Sequence, residues 1–321
     1  MKILVPFNSE ELLDTFVEAG AGEFYMGFCD PAWTEQFGEY SDINRLTLFK
    51  ETANRYTIDD VARIAGRLHE KDIPLYITLN APGYRKDQMD YIRASIDKLA
   101  ESGVDGIILG VPELISYVRE KGLKAIASTM CGINNHGLAQ LYRDWGMNRV
   151  ILPRELTAQE ITSVMQYVPD LEYEVFLMRN GCRYTDANCL GLHGGEQGAL
   201  CYSLRTEEAE IIGRNWDGSG WFEEQMRDTH EKFCTVYHEF SCGQCAIWRF
   251  LQAGVNAVKI VGRLDDMTEV LGDIRLTAEN ITIAADCTSE QEYFERMTMP
   301  GGIEEYCRQG MSCYYPEIRW G

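Results

Sequence analysis

Eight short runs of β-branched and aromatic residues, separated by stretches of helical length, constrain this chain more than any other feature. The runs are KILVPF (2–7), EFYMGF (23–28), PLYITLN (74–80), DGIILG (105–110), KAIASTM (124–130), NRVILP (148–153), EYEVFLM (172–178) and AVKIVGR (257–263). Parallel strands need a crossover between them, so strands alternating with helices point to a parallel sheet and an α/β fold. Eight such units predict a closed (β/α)8 TIM-like barrel, about 250 residues in its plain form and open to insertions. A doubly wound open sheet is the alternative.

Helix boundaries agree with this register. Asn8 with Glu11, Thr57 with Asp60 and Thr157 with Glu160 each set an oxygen acceptor three residues before an acid, the spacing of a capping box. Gly20 and Gly103 stand where a left-handed residue ends a helix before the next strand. Residues 1–263 therefore read as one barrel domain that includes a long cysteine-bearing loop at 179–241, after strand 7. Residues 264–321 read as the last helix and a short C-terminal extension.

Loops as long as 179–241 usually carry function in a compact domain. This one holds Cys182, Cys189 and Cys201 in RNGCRYTDANCLGLHGGEQGALCYSLR, then Cys234, and it ends at a C-x2-C formed by Cys242 and Cys245. The chain has 11 cysteines, which serve either disulfides or metals according to compartment. MKILVPFNSEELLDTF has one lysine and no small-residue cleavage site, so it reads as a first strand and helix rather than a secretory signal. No apolar run approaches the roughly 18–20 residues that span a bilayer. A soluble, cytoplasmic chain with reduced thiols is expected, and an odd cysteine count fits a complete disulfide framework poorly.

A barrel turns these positions into neighbours, because every strand hands the chain to the C-terminal face where the βα loops build the active site. Cys182 follows the seventh strand by four residues, and a helix beginning near Ser241 starts on the same face. Cys242 or Cys245 can then approach the loop thiols, while Cys29 and Cys131, after the second and fifth strands, join the rim. An iron–sulfur cluster is usually held by four thiolates, and a Gly-containing loop can wrap one with its N–H groups facing the sulfides. Structural zinc prefers paired knuckles, a spacing that only Cys242 and Cys245 show. An iron–sulfur cluster is the favoured reading; zinc and plain buried thiols are the alternatives, the last applying most to Cys131 and Cys287. The residues favour no role for Cys307 and Cys313.

The formal net charge is −20 at pH 7. Phosphate backbones are bound by lysine and arginine, so nucleic acid is not expected as an unassisted partner.

YITLN (76–80), GVDGIILG (103–110), VILPRELTAQEI (150–161), EVFLM (174–178), the C-x6-C pair Cys182 and Cys189, and QAGVNAVKIVGR (252–263) follow one another in an order that resembles the collagenase-like peptidase family U-32. The resemblance covers most of residues 1–263. It implies a barrel and, as in studied relatives, a [4Fe–4S] cluster on four cysteines. Relatives include the ubiquinone-biosynthesis accessory proteins U and V and enzymes that hydroxylate tRNA or ribosomal RNA without molecular oxygen, drawing oxygen from prephenate. Many members carry a further cysteine four residues after the third, where this chain has Arg205. The fourth ligand must then be Cys29, Cys234, Cys242 or Cys245; Cys242 matches a cysteine of many relatives and is the expected one. The implied function is an oxygen-independent, hydroxylation-type modification of a small molecule or partner-bound substrate, with prephenate as oxygen donor. Alternatives are a non-catalytic redox or scaffold subunit beside a paralogous partner, and a peptidase, although no HExxH or GxSxG motif supports amide hydrolysis.

Other residues follow from the strand ends. Arg154 with Glu155 and Arg179 with Asn180 are expected at the mouth, where the two arginines would grip a carboxylate; a rim salt bridge between Arg154 and Glu155 is the alternative. His136, after the fifth strand, is a candidate acid–base residue or a plain helix-start residue. Asn80 would orient substrate or cap a helix, and His193 is a candidate ligand or proton donor. The loop acids Asp186 and Glu196 are expected to be solvated. Lys259 and Arg263 resemble the family's KIEGR stretch, with Val261 in place of its acid.

Overall fold

The structure, a computed structural model, describes residues 1–47, 49, 52–182, 184–189 and 236–318. Eight parallel strands close on themselves in sequence order: β1 (Lys2–Pro6), β2 (Glu23–Met26), β3 (Leu75–Leu79), β4 (Gly106–Leu109), β5 (Lys124–Ala127), β6 (Arg149–Ile151), β7 (Glu172–Met178) and β8 (Ala257–Ile260). Closure is made by β8 lying against β1, with Ile3 opposite Val258 and Leu4 opposite Lys259. The TIM-like barrel is thus the observed fold, and each of the eight runs supplies one strand. Apart from Lys2, Lys124 and Glu172 at their starts, strand residues are buried on both faces, as expected where helices cover the outside.

The helices bury one stripe each. In Ile58–His69 the buried residues Val61, Ile64, Ala65 and Leu68 recur at the i, i+3, i+4, i+7 spacing of an amphipathic helix. Its start is boxed: the Asp60 carboxylate accepts from the Thr57 amide at 2.9 Å. At Ala158–Tyr167 Glu160 accepts from the Thr157 amide at 2.8 Å, while Thr157 Oγ accepts from the Glu160 amide at 3.2 Å. Gly20 and Gly103 have positive φ at helix ends. The third expected box does not form: the first helix begins later, at Leu13–Glu18, and Asn8 donates to the Arg263 carbonyl at 3.1 Å instead. Tying the β1 loop to the end of β8 takes precedence there over capping.

Two departures from strict alternation shape the mouth. The β2 loop holds a short helix, Pro31–Phe37, and a further irregular stretch before Ile58–His69. After β7, Ser241 and Cys242 do not begin a helix. Cys242 forms isolated bridges to Met178 and Cys313, and a 3-10 turn at Gln244–Ala246 leads into the helix Ile247–Ala253. The helix Met267–Asp286 packs on the outside against β8, β1 and Leu13–Glu18, and two short helices, Glu290–Arg296 and Glu304–Gln309, follow it. Among the described residues no helix is long and apolar enough to cross a membrane.

Candidate active site at the barrel mouth

The barrel interior is polar at its base. Arg149, at the start of β6, donates to Glu23 Oε1 at 2.9 Å and to Glu172 Oε2 at 2.9 Å. Lys259 on β8 donates to Glu174 at 2.9 Å and sits 3.9 Å from the centroid of the Tyr25 ring. Burial pulls the Lys259 pKa below its ordinary value despite Glu174. Above this layer, Arg263 is buried at 6% exposure and donates to Asn54 Oδ1 at 3.3 Å and Thr78 Oγ1 at 3.2 Å. Among the described residues no carboxylate pairs with it. Burial, with Arg45 adding to it, draws its pKa down to about 10.

At the mouth, Asp186 is the hub. Its carboxylate accepts from Arg45 Nη1 at 3.0 Å and from Arg154 Nη1, and both its burial and its two partners are set by tertiary contacts. Burial pushes that carboxyl up, but Arg154 and Arg45 outweigh the effect and hold it below the usual carboxylate range. Arg154 also lies over the Phe176 ring, 3.8 Å from its centroid, and its buried Nε–H has no hydrogen-bond partner. Cys182 and Cys189 flank the hub: Arg45 Nη2 donates to Cys189 Sγ at 3.4 Å, and the Tyr184 amide to Cys182 Sγ at 3.4 Å. Burial raises the Cys182 pKa, with Arg154 and Arg45 pulling against it.

Arg45 is the residue that sequence reading missed. It comes from the irregular part of the β2 loop, held over the mouth by Asn80 Oδ1, which accepts from the Arg45 amide at 3.3 Å, and by Tyr84 Oη, which donates to the Ile43 carbonyl at 2.7 Å. The available signal was the length of that βα loop. Asn80 neither caps a helix nor stands open to the mouth; it anchors this loop and donates to Ser128 Oγ at 3.4 Å. Asp186, expected in solvent, is instead buried at 2% exposure.

The other sequence candidates are placed differently. Arg179 does not join Arg154 over one position. Its guanidinium is taken up by Glu269 at 2.6 Å and by Asp273 on Met267–Asp286, and by Asp265 at 3.8 Å in the loop after β8. It and Asn180 have positive φ, 63° and 52°, uncommon for residues with a Cβ, so the chain turns sharply at the end of β7. Arg154 pairs with Asp186 rather than with its neighbour Glu155. His136 is exposed at the start of His136–Asp144, with its ring stacked on Tyr167 at 4.5 Å, so it lies at a helix start and not in the mouth. Cys131 donates to the Leu109 carbonyl at 3.4 Å, and burial pushes its thiol up to about 12. Cys201, Cys234, His193, Glu196 and Arg205 lie outside the described residues.

Cys242 is buried, and its backbone is bridged to Met178 at the end of β7. Its backbone is also bridged to Cys313, and burial pushes its thiol up, with Cys245, Cys307 and Asp273 adding to the effect. The donor set beside Asp186 suits an iron–sulfur cluster in chemistry: two soft thiols, N–H groups aimed at sulfur, and two guanidiniums that would offset the negative charge of a thiolate-bound cluster. Among the described residues, no three His, Cys, Asp or Glu side chains stand ready around one point as a metal site.

A (β/α)8 barrel whose C-terminal face gathers cysteines and arginines is the class that fold and site define. The model of peptidase family U32 matches residues 8–299, and the chain belongs to that family. It is 25% identical over 313 residues to a collagenase of Porphyromonas gingivalis, covering 92% of this chain and 69% of that protein. It is 24% identical over 211 residues to tRNA hydroxylation protein P1 of Bacillus subtilis, covering 64% of this chain and 46% of that protein. To tRNA hydroxylation protein P of Escherichia coli it is 27% identical over 139 residues, 43% of this chain and 30% of that protein. The chain thus spans less than half the length of these hydroxylation proteins. The names of these relatives point to tRNA, whereas net charge argues against nucleic acid as an unassisted partner.

Proposed function

We propose that this chain is an iron–sulfur enzyme of the hydroxylase type, working without molecular oxygen. The observation that carries the reading is the mouth itself, where Cys182 and Cys189 flank a buried carboxylate shared by Arg45 and Arg154, in a chain with relatives named for tRNA hydroxylation. In this reading Cys182, Cys189 and Cys201 hold a [4Fe–4S] cluster with a fourth thiol. Cys242, whose backbone is bridged to Met178 at the end of β7, is the fourth thiol in this reading, with Cys29, Cys234 and Cys245 as the alternatives.

The cluster would supply electron transfer or a Lewis-acidic iron to an oxygen donor. The chain's own part is to bind and orient. Arg154 offers a buried, unpartnered Nε–H and a charge only half neutralised by Asp186, which suits one carboxylate of a donor such as prephenate. Arg263, buried with no carboxylate paired to it among the described residues, adds positive potential below it. Arg179 then has a structural role in holding the β7 turn to Met267–Asp286. A substrate carrying RNA would need a basic partner to bring it to so acidic a chain; a small substrate would not.

Anaerobic purification with visible spectroscopy and iron and sulfide counting tests this reading. A brown protein with about four irons and four sulfides per chain is expected. A colourless protein that stays free of iron after anaerobic reconstitution would sink it, and would return weight to a peptidase reading on the strength of the collagenase relative.

A further inference from the structure

We infer that Arg45 sets the reduction potential of the cluster, by donating from its guanidinium to Cys189 Sγ while Asp186 holds back part of its charge. The inference rests on the cluster reading and deepens it. Arg45 acts through a ligand sulfur and is a positioning residue.

Cys189 and Asp186 stand at a fixed separation. Asp186–Asn188 is a single 3-10 turn, closed by the Cys189 amide donating to the Asp186 carbonyl at 3.0 Å. The fork of Arg45 spans the two, with Nη1 donating to Asp186 Oδ1 at 3.0 Å and Nη2 to Cys189 Sγ at 3.4 Å. A guanidinium offers such arms in one rigid plane, which an ammonium does not. Arg154, the other guanidinium on Asp186, lies over the Phe176 ring. Cys182 has a neutral donor, the Tyr184 amide, so Arg45 brings the charged bond to sulfur at the mouth.

The β2 loop holds this side chain in place through its neighbours. Thr47 Oγ1 accepts from the amides of Ile43 at 2.8 Å and Asn44 at 3.0 Å, and Asn44 Oδ1 accepts from the Leu46 amide at 2.9 Å. Asn54 Oδ1 accepts from Asn44 Nδ2 at 3.2 Å and from Arg263 Nη1 at 3.3 Å, so Arg263, after β8, ties the loop to the barrel. Asn44, Thr47 and Asn54 are all buried. A satisfied buried polar network rigidifies the segment that carries it, and here it fixes the backbone on both sides of Arg45.

Reduction adds one electron, and so one negative charge, to a cluster already made negative by its thiolates; no bond forms or breaks. A cationic donor on a ligand sulfur stabilises the reduced form more than the oxidised form and raises the potential. Asp186 works the other way, because its carboxylate sits on the same guanidinium and offsets its charge. The two residues therefore pull the potential in opposite directions.

The test is a dye-mediated redox titration of the reconstituted full chain, followed by visible absorbance, with iron counted in every sample. Arg45→Met should keep its iron and shift the potential downward by about tenfold in the one-electron equilibrium, or about 59 mV. Arg45→Lys, which keeps the charge without the fork, should fall between wild type and Arg45→Met. Asp186→Asn should shift the potential upward. An iron-loaded Arg45→Met with the wild-type potential would overturn the inference and leave the cluster reading intact. Wild type that takes up no iron would remove the cluster reading itself, and this inference with it. Should Arg45→Met lose its iron, Asp186→Asn decides: a rise supports the inference, and a fall or no change overturns it.

Discussion

The base and the mouth of this barrel are both charged, and they differ in how the charge is closed. At the base every acid has a cation within ion-pair distance: Glu23 meets Arg149 and Lys2, Glu172 meets Arg149 and Lys124, and Glu174 meets Lys259. At the mouth Arg45 and Arg154 share the carboxylate of Asp186, and Arg263 lies buried with no carboxylate paired to it among the described residues. A network closed on itself is structural, because a ligand has nothing to add to it. An excess of buried positive charge is costly unless something negative is bound, which is why the mouth reads as a site.

Four experiments press on that difference, beginning with the largest effect. Replacing Cys189 by serine should empty the mouth of iron, with the loss read by metal analysis and by bleaching of the visible spectrum, while Cys131→Ser should keep both. Equal iron in wild type and Cys189→Ser would remove the mouth from consideration as the cluster site. Arg149→Met, at the base, should cost about 3–5 kcal/mol in urea unfolding, since it strands Glu23 in a buried position. Iron per folded chain should not move, and a loss below about 1 kcal/mol would show that the base is not held by its ion pairs.

Asp186→Asn should have a smaller effect on stability, about 1–3 kcal/mol, because it removes the charge that two guanidiniums share while leaving an acceptor oxygen. The wild-type contribution has a defined pH range. The folded carboxyl is held below its unfolded value, so the stabilisation is complete above about pH 4 and is lost as pH falls through the folded value. A wild-type minus Asp186→Asn difference that grows on acidification would contradict the pairing. The smallest effect is expected at Asp42, whose carboxyl is pushed up to about 6 by burial, against the pull of Arg45. A raised folded value favours the protonated form, so its stabilisation is complete below about pH 4 and is lost as pH rises through about 6. Asp42→Asn should flatten the stability profile across that range, and an unchanged slope would show that Asp42 is better solvated than its surroundings indicate.

Much of this was legible in the chain and some was not. The Thr57 and Thr157 boxes form because both depend on residues three apart in one helix start. The Asn8 box does not, because a contact with Arg263, distant in sequence, takes that side chain. The same distinction separates Arg154, which lies at the mouth as a strand-end residue should, from Arg179, which follows its own strand equally closely. Arg179 turns outward because the left-handed pair at 179 and 180 redirects the chain and three acids near Met267–Asp286 receive its charge.

By itself the sequence determined the barrel, since strand and helix periods are local and eight alternating units leave few ways to pair. It also determined that Cys182 and Cys189 emerge on the functional face. Only the tertiary structure decided what surrounds them. Arg45 arrives from the loop after β2, Asp186 is buried between two guanidiniums, and Cys242 is drawn to Cys313 across a bridge between segments 71 residues apart. Side-chain burial and charge pairing depend on which distant segments pack together, and no local period in the chain records that.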